Sequence, residues 1–397
     1  MSAAEKIETE AIKETALQAV RRELKSAFIQ RDTEIDLMFT ALYAGEHALL
    51  LGKPGTGKTA LAETFASAIG LKSWSYLMTK MTTDSEVFGG PDIKKLTEEG
   101  IVKRVTTGKL PEAEFAVLDE IFKSNSPILN ALLTMLNERK FDNPDRQDVP
   151  LKMAVGLSNE MPDGGAEGAL HALFDRFVLR TWVERIKGKA GRKALLKIKG
   201  GVSITATATA SDVEIARRSA SQVEVDEKVL DTMLEIADAL DEKSIYVSDR
   251  RLRKALKVVK AAAAIEGRTS VEMKDLWVLR HVLWNDESEI VDVDKIVTKA
   301  SDPDLNEARK ILGIAKKFKQ EAIELHEKES VSLEGRELYA KVSSFIISKM
   351  VEVQSCCMDI SKLSQTDKVK LCLEQAKEWA AELKQLNDKL CSQGFSF

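Results

Sequence analysis

Apolar runs and helical patterns alternate along the first half of the chain and predict an α/β fold. The short apolar runs have the length and composition of buried strands in a parallel sheet, and they cover residues 47–51, 74–78, 115–118, 153–157 and 179–183. Apolar residues at helical spacing precede the first run and fall between later runs, at residues 32–45, 58–70 and 127–136. Strands that alternate with helices are typical of a parallel sheet covered by helices.

One helix and two irregular stretches complete this part of the pattern. Residues 1–27 are rich in helix formers and predict an N-terminal helix. Two short apolar segments flank a Thr-Glu-Glu-Gly turn, so residues 90–106 predict a β-hairpin insert. Such an insert is either a functional projection or a plain surface loop, and the sequence leaves both open. Residues 138–150 are a polar connection, with a second hairpin as one option.

The pattern changes after residue 184, which ends the predicted core domain at residues 28–184. A basic segment, two adjacent glycines and an alternating Thr-Ala tract predict a linker over residues 185–225. Helical patterns then resume and predict a small all-α domain over residues 226–300. Within it, Ser248-Asp249 is a helix-start signal.

Long helical patterns fill residues 301–397 and predict a C-terminal helical domain. They cover residues 305–325, 338–353 and 369–390. The last pattern repeats every seven residues, at Val369, Ala376, Leu383 and Leu390. A heptad repeat predicts packing on a partner helix, and it does not say whether that helix belongs to the same chain.

A glycine-rich stretch follows the first predicted strand and precedes a predicted helix. It has the pattern Gly, four residues, Gly-Lys-Ser/Thr, which in this context predicts a phosphate-binding loop. Glycines let successive N–H groups and a helix N-terminus face a phosphate, while the lysine supplies charge and the threonine hydroxyl a ligand for Mg²⁺. The predicted nucleotide-binding residues are Gly52, Pro54, Gly55, Thr56, Gly57, Lys58 and Thr59.

Two other predicted strands end in polar residues that suit the same site. The run 115–118 ends in Asp119-Glu120, and carboxyl ends of strands meet at one edge of an open α/β sheet. We expect Asp119 to hold Mg²⁺ with Thr59, and Glu120 to polarise the attacking water. Asn159 follows the run 153–157, where an amide can bridge that water and the γ-phosphate. A turn-forming asparagine is the alternative interpretation.

Arginines near the ends of the two predicted domains are further candidates. A guanidinium of the Asp175-Arg176 pair or of Arg180 is suited to reach a γ-phosphate bound by a neighbouring subunit. The alternative is a local ion pair between Asp175 and Arg176. Arg250 and Arg251 fall in the first turn of a predicted helix, where cations oppose the helix dipole, and this placement suggests an anion nearby.

Composition sets limits on class and partners. The net charge of −4 is small against 59 basic and 63 acidic residues, so nothing favours a nucleic-acid footprint over a protein partner. No apolar segment is long enough to span a bilayer and the N-terminus has no signal-peptide core, so we expect a cytoplasmic protein without membrane insertion. The 4 cysteines lie near the C-terminus without metal-ligand spacing and are interpreted as buried thiols.

These motifs occur in a family-specific order along the chain. Through them, residues 28–290 resemble the MoxR-type AAA+ ATPases, especially the RavA branch. The segments that carry the resemblance are Tyr76–Thr79, Glu86–Gly89, Thr106–Glu114, Leu118–Ile121, Ser158–Glu160 and Tyr246–Arg250. The C-terminal helical patterns do not resemble the mixed domain associated with RavA.

The resemblance implies a P-loop AAA+ core with a parallel sheet, a small all-α lid and sites at the subunit interfaces of a homo-hexameric ring. The loop would be Walker A, Asp119-Glu120 Walker B and Asn159 sensor 1, with Arg176 as arginine finger and Arg250 as sensor 2. Because Arg251 is adjacent, which of the two arginines senses the nucleotide stays open. The 93–105 segment would match the helix-2 insert of that family.

The function that this resemblance implies is Mg²⁺-dependent ATP hydrolysis that remodels protein complexes, in the manner of a chaperone. Family members often act with proteins that carry a von Willebrand factor A domain, which is the expected type of protein partner. Two alternatives remain at this point: a nucleotide-switched scaffold with little turnover, and a DNA-linked motor of restriction type.

Overall fold

The computed structural model describes residues 14–162, 168–198, 200–333, 335–364 and 366–394. The chain divides into two compact units, residues 1–293 and residues 294–397. The first unit holds every strand of the described structure, and the second unit is helical.

A five-stranded parallel sheet forms the centre of the first unit, as the apolar runs predict. Its strands are β1 (His47–Leu51), β2 (Ser73–Leu77), β3 (Phe115–Asp119), β6 (Met153–Ser158) and β7 (Phe177–Trp182). They lie in the order β2-β3-β6-β1-β7, and all four pairings are parallel. Every residue of β1 and β6 is buried because helices cover both faces.

The register of the sheet brings three chain segments to one edge. Leu51, the last residue of β1, pairs with Ser158 at the end of β6. On the other side, β3 pairs with β6, and its last residue, Asp119, lies opposite Leu77 at the end of β2. The segments that follow Leu51, Asp119 and Ser158 therefore leave the sheet at its carboxyl edge, which is where such sheets bind ligands.

Helices connect the strands of the first unit. They are α1 (Ala16–Ala27), α2 (Asp32–Ala44), α3 (Lys58–Ala68), α4 (Asp84–Phe88), α5 (Ile93–Glu99), α6 (Ser126–Glu138) and α7 (Gly168–Arg176). The predicted N-terminal helix is described from Ala16 onward, and its first residues lie outside the described part of the chain.

The predicted β-hairpin insert at 90–106 is wrong in its central part, where the chain forms helix α5. Asp92 caps this helix through its side chain, which accepts a hydrogen bond from the amide of Lys95, and Gly100 ends it in the left-handed conformation. The Thr-Glu-Glu-Gly sequence is thus a helix C-terminus rather than a hairpin turn. Antiparallel pairing survives only at the base, as an isolated bridge between Pro91 and Arg104.

The polar connection after α6 does form a hairpin. Its strands are β4 (Lys140–Asn143) and β5 (Asp145–Asp148), paired antiparallel. The buried side chain of Asn143 bonds both the backbone amide and the carbonyl of Arg104, at 2.6 and 3.1 Å. This contact fixes the base of the 90–106 insert to the hairpin.

The segment predicted as a linker contains two helices, α8 (Gly188–Lys197) and α9 (Ala210–Gln222). Helix α9 is an integral part of the first unit, because it buries Val213, Ala216 and Ala220 and packs on α2. The last threonine of the Thr-Ala tract, Thr209, forms a capping box with Asp212 and starts this helix. The alternating Thr-Ala sequence resembles a linker, so the helix start at Thr209 was not predicted.

The all-α part of the first unit follows α9. It consists of α10 (Glu227–Asp241), α11 (Asp249–Ile265) and a run of 3₁₀ turns over Met273–His281. Ser248 caps α11 by accepting a hydrogen bond from the amide of Arg251 at 3.2 Å, as the helix-start signal predicts. Helix α11 packs on α2 and α9 and so joins the lid to the sheet region.

Helix α12 (Ile290–Ser301) crosses from the first unit into the second, which otherwise consists of α13 (Pro303–Glu329), α14 (Gly335–Ser361) and α15 (Asp367–Gly394). The heptad positions Val369, Ala376, Leu383 and Leu390 are all buried against α13 and α14. The partner helices of the repeat therefore belong to the same chain. Within the described ranges, no helix has the length and apolar content needed to cross a bilayer.

Candidate nucleotide-binding site

The glycine-rich stretch forms a curled loop between β1 and α3. Gly52, Gly55 and Gly57 have φ values of 145°, 79° and 86°, a region that side chains other than glycine rarely adopt. At Gly52 a Cβ atom would also lie 2.5 Å from the carbonyl oxygen of Val183, the residue after β7, so this backbone approach requires glycine. Gly57 sits directly before α3 and directs the N-terminus of that helix into the loop. The exposed Pro54 and half-buried Thr56 complete the curve.

Lys58 is the buried cation of this loop. Its Nζ donates to the carbonyl oxygens of Gly52 and Lys53, at 2.5 and 3.2 Å, and to Oδ1 of Asn159 at 3.0 Å. Burial lowers the pKa of Lys58, while the nearby carboxylates of Asp119 and Glu120 act in the opposite direction. The ammonium thus lies between the loop and the polar ends of two strands.

Thr59 and Asp119 form the part of the site that suits Mg²⁺. The Thr59 hydroxyl donates to Oδ2 of Asp119 at 2.8 Å, so both oxygens border one point beside the loop. Across the described ranges, no group of three His, Cys, Asp or Glu side chains is arranged to hold a metal. The two oxygens of Thr59 and Asp119 fit Mg²⁺, which binds to one or two protein oxygens and to substrate phosphates rather than to an all-protein cage.

Glu120 has a backbone conformation that is uncommon for a residue with a side chain. Its φ of 51° lies in the left-handed region, which costs free energy for such a residue and is found often at functional sites. The Nδ2 atom of Asn159 donates to Oε1 of Glu120, and Nζ of Lys123 lies 3.1 Å from Oε2. Asn159 therefore contacts both Lys58 and Glu120, and the three side chains form one network.

Two residues of this region were missed by the sequence analysis. The guanidinium of Arg31 is buried and donates to the carbonyl oxygens of Thr56 and Glu184, at 3.0 and 2.7 Å. It therefore ties the tip of the loop to the segment that follows β7. Lys123, the partner of Glu120, is the other. Neither belongs to a motif. Only the fold brings Arg31 to the loop, whereas Lys123 lies three residues after Glu120 in the chain and pairs with it locally.

Arg176 does not lie beside the phosphate loop of its own chain. It ends α7 directly before β7, whose first residue, Phe177, pairs with His47 at the start of β1. The loop follows the other end of β1, and a strand of five residues spans about 13 Å. Arg176 is therefore placed at the amino edge of the sheet and the loop at its carboxyl edge.

Arg250 lies at the same amino edge as Arg176. Its exposed side chain donates to Oδ1 of Asn137, near the end of α6, about 16 Å along that helix from its first residue, Ser126. Helix α6, which carries Asn137, packs on α7, which ends in Arg176. The pKa of Arg176 is lowered, first by burial and then by the positive charge of Arg250. Both are remote from the loop of this chain.

Two arginines close to Arg176 and Arg250 in the sequence, Arg180 and Arg251, are buried rather than exposed. Arg180 is fully buried in the sheet, so the sequence-based option that it reaches a neighbour's phosphate is wrong. Arg251 is also buried and bonds backbone carbonyls of its own lid, at Val282 and Trp284. Arg250, with its exposed guanidinium, is the one of the adjacent pair that is open to an anion.

The carboxyl edge therefore combines the groups that a nucleoside triphosphate site needs. Backbone amides and Lys58 are suited to phosphate oxygens, Thr59 and Asp119 to a divalent cation, and Glu120 and Asn159 to a water molecule. The predicted arginines Arg176 and Arg250 lie at the opposite edge of the same chain.

Comparisons with known proteins agree with this geometry. The family described as "MoxR domain in the MoxR-vWA-beta-propeller ternary systems" matches residues 15–225. A second family, described as "AAA lid domain", matches residues 228–297. The matched ranges contain the sheet with its loop and the all-α part with α10 and α11.

Individual relatives and structures show the same relationship. An uncharacterized protein of Methanocaldococcus jannaschii is 38% identical over 282 residues, which cover 71% of this chain and 73% of that protein. Chaperone MoxR1 of Mycobacterium tuberculosis is 27% identical over 117 residues, which cover 30% of each protein. A crystal structure from Cytophaga hutchinsonii, described as a "putative ATPase", shares the fold, with a TM-score of 0.57 at 18% identity, covering 72% of this chain and 94% of that one.

The predicted fold class is therefore confirmed, with an α/β core around a parallel sheet, a lid domain and a helical C-terminal unit. The family match extends over more than half of the chain, and the M. jannaschii relative is similar over most of its own length. This chain belongs to the MoxR-type AAA+ ATPases.

Proposed function

We propose that this protein hydrolyses ATP with Mg²⁺ in the cytoplasm, as a homo-hexameric ring in which each site is completed by Arg176 of a neighbouring subunit. The observation that carries the proposal is the division of the site between two edges of the sheet. Lys58, Thr59, Asp119 and Glu120 meet at the carboxyl edge, while Arg176 lies at the amino edge.

Each side chain at the carboxyl edge has a distinct task in this proposal. Lys58 exchanges its loop carbonyl partners for phosphate oxygens, and Thr59 and Asp119 hold the cation. Mg²⁺, when bound with the nucleotide, neutralises charge on the transferred phosphoryl group. Glu120 accepts a proton from the attacking water, and Asn159, which already bonds Glu120, orients that water.

Arg176 and Arg250 act on the nucleotide of the adjacent subunit. A guanidinium at the γ-phosphate stabilises the charge of the transition state, and it is effective when supplied in trans. Since both arginines lie at the same edge, one neighbour supplies both. A closed ring in which each subunit presents this edge to the loop of the next satisfies every site, which is the reason for proposing a ring.

The work of the ring is proposed to be the remodelling of protein complexes. The support is the family description, which names MoxR domains in systems with vWA and β-propeller proteins, and the relative named as a chaperone. We therefore propose a protein client, with a von Willebrand factor A domain protein as partner. A finer assignment to the RavA branch rests only on the resemblance of short sequence segments.

The substitution Glu120→Gln tests this proposal. It removes the proton acceptor but preserves shape, so turnover should fall about 100-fold or more while ATP binding is retained. Glu63→Gln, on the exposed face of α3, is the matched control and should leave turnover unchanged. The measurements are phosphate release with and without Mg²⁺, ATP affinity, and assembly mass with ATP.

Three results would contradict the proposal. Turnover that persists in Glu120→Gln removes that residue from its role. A wild-type protein that binds ATP with little turnover is a nucleotide-switched scaffold, and hydrolysis that DNA stimulates in a salt-sensitive manner indicates a DNA-linked motor.

A further inference from the structure

One carboxylate, that of Asp175, lies among three guanidiniums. Its Oδ1 accepts a hydrogen bond from Nη2 of Arg251, and its Oδ2 lies 3.4 Å from Nη1 of Arg176. The negative charge of Asp175 also acts on the buried Arg180. The local Asp175–Arg176 pair, which the sequence offered as an alternative to a functional Arg176, is thus only one part of a larger cluster.

Arg251 connects this cluster to the lid. Its Nη1 donates to the carbonyl oxygens of Val282 and Trp284 and to Oδ1 of Asn285, at 3.3, 3.2 and 2.9 Å. The side chain is 6% exposed and uses its other terminal nitrogen for Asp175. A guanidinium has several donors in a fixed geometry, so this one holds the lid backbone and the end of α7 together.

Arg180 supports the same junction from inside the fold. Its guanidinium is fully buried, stacks on Phe174 and Trp284 at 4.2 and 5.3 Å, and has no hydrogen-bond partner among the described residues. A buried cation without such a partner is costly and depends on nearby negative charge. Asp175 supplies the larger part of that negative charge, and Glu289 of the lid segment supplies a smaller part.

We propose that Arg251 is a positioning residue for Arg176, so that the placement of the lid sets the placement of the arginine finger. Arg251 donates hydrogen bonds both to lid backbone and to Asp175, the residue directly before Arg176. A shift of the lid that moves residues 282–285 therefore moves the end of α7. Through this contact, the state of the lid in one subunit controls hydrolysis at the site of the next.

This inference rests on the proposed role of Arg176 in trans, and the test uses mixed rings. Donor subunits carry Lys58→Ala and supply intact arginines, whereas acceptor subunits carry Arg176→Ala and supply intact loops. Arg251→Gln is then added to donors only or to acceptors only. In donors it should lower kcat about 10-fold with little change in KM, and in acceptors it should have a much smaller effect.

Matched variants distinguish positioning from a general structural role. Arg251→Lys keeps the charge and should restore part of the donor activity. Asp175→Asn in donors should reproduce the loss, and the double variant should be no worse than either single variant, because both break one contact. Equal losses in donors and acceptors, or additive losses in the double variant, would overturn the proposal.

A second measurement does not depend on the mixed rings. Amide hydrogen exchange over residues 168–178 should be faster in Arg251→Gln than in the wild type, since the end of α7 loses its anchor. Arg253→Gln, an exposed neighbour on α11, should leave exchange unchanged. If the mixture of Lys58→Ala and Arg176→Ala subunits shows no activity, the role of Arg176 in trans is rejected. Faster amide exchange in Arg251→Gln would still support the link between the lid and α7. Unchanged exchange in Arg251→Gln rejects that link.

Discussion

The two edges of the sheet differ in how their residues are specified. At the carboxyl edge, the polar residues follow directly on apolar strands, so strand ends and motif spacing place Lys58, Asp119 and Asn159 together. At the amino edge, Arg176 and Arg250 come from separate domains and meet only through tertiary packing. One edge is a site that the sequence motif encodes, and the other is a surface that the fold assembles.

This difference has a functional consequence. Each edge alone is half of the proposed site, and the sheet separates the halves by about the length of β1, roughly 13 Å. A subunit that contains both halves cannot use them together, so the proposed site requires a second copy of the chain. Substitutions at the carboxyl edge should act on a subunit's own site, and substitutions at the amino edge should act on its neighbour's.

The largest expected effect is at the amino edge. Arg176→Ala should lower kcat about 1,000-fold or more, because an arginine finger stabilises charge that develops only in the transition state. ATP affinity should change little, since the loop of the same subunit is untouched. Steady-state hydrolysis and a separate binding measurement check this, with the exposed Arg253→Ala as control. A loss of ATP affinity equal to the loss of turnover would place Arg176 in the nucleotide pocket of its own subunit.

A smaller effect is expected at the carboxyl edge for Asn159→Ala. Removing an amide that bonds both Lys58 and Glu120 should lower kcat about 100-fold, comparable to the loss of one oxyanion donor. Asn130→Ala, on the exposed face of α6, is the control and should have no effect. The variant should remain inactive as an acceptor in mixed rings but serve as a donor of arginines. Failure as a donor would contradict the separation of the two edges.

The smallest expected effect concerns pH and stability at the amino edge. Burial lowers the pKa of His47 well below 6.5, and the charge of Arg139 lowers it further. Below about pH 6.5, the pKa of an unfolded histidine, the unfolded chain binds a proton that the folded chain does not. The free energy of unfolding therefore falls as pH decreases, by at most about 1.4 kcal/mol per pH unit. Urea unfolding at pH 7.5 and 5.5 measures the loss, which should be smaller in His47→Asn. An equal loss in both proteins would assign the pH dependence to other groups.

The sequence predicted the sheet and the carboxyl edge because both depend on local patterns. Parallel strands appear as apolar runs, and the glycines at 52, 55 and 57 are required by backbone angles that other residues rarely adopt. The side chains that follow Leu51, Asp119 and Ser158 then lie at one edge by the geometry of a parallel sheet.

Other features were missed for two different reasons. Helices α5 and α9 start at local cap signals that the strand-like and alternating patterns around them outweighed. The contacts of Arg31 and Arg251 join residues that are distant in the chain. The insert at 90–106 has apolar segments suited to strands, but the Asp92 cap and Gly100 favour helix α5 between them. Helix α9 begins at a capping box inside a polar tract. Arg31 bonds backbone carbonyls, which every residue has, and Arg251 bonds carbonyls together with Asp175, 76 residues away in the chain, so no sequence motif marks these contacts.

A mixing titration shows whether one site is built from two subunits. Lys58→Ala protein and Arg176→Ala protein, each inactive alone, are combined at ratios from one pure variant to the other. Activity should rise to a maximum at intermediate ratios, since intact loops then meet intact arginines. Activity that stays at the level of the two separate variants at every ratio would contradict a site built from two subunits.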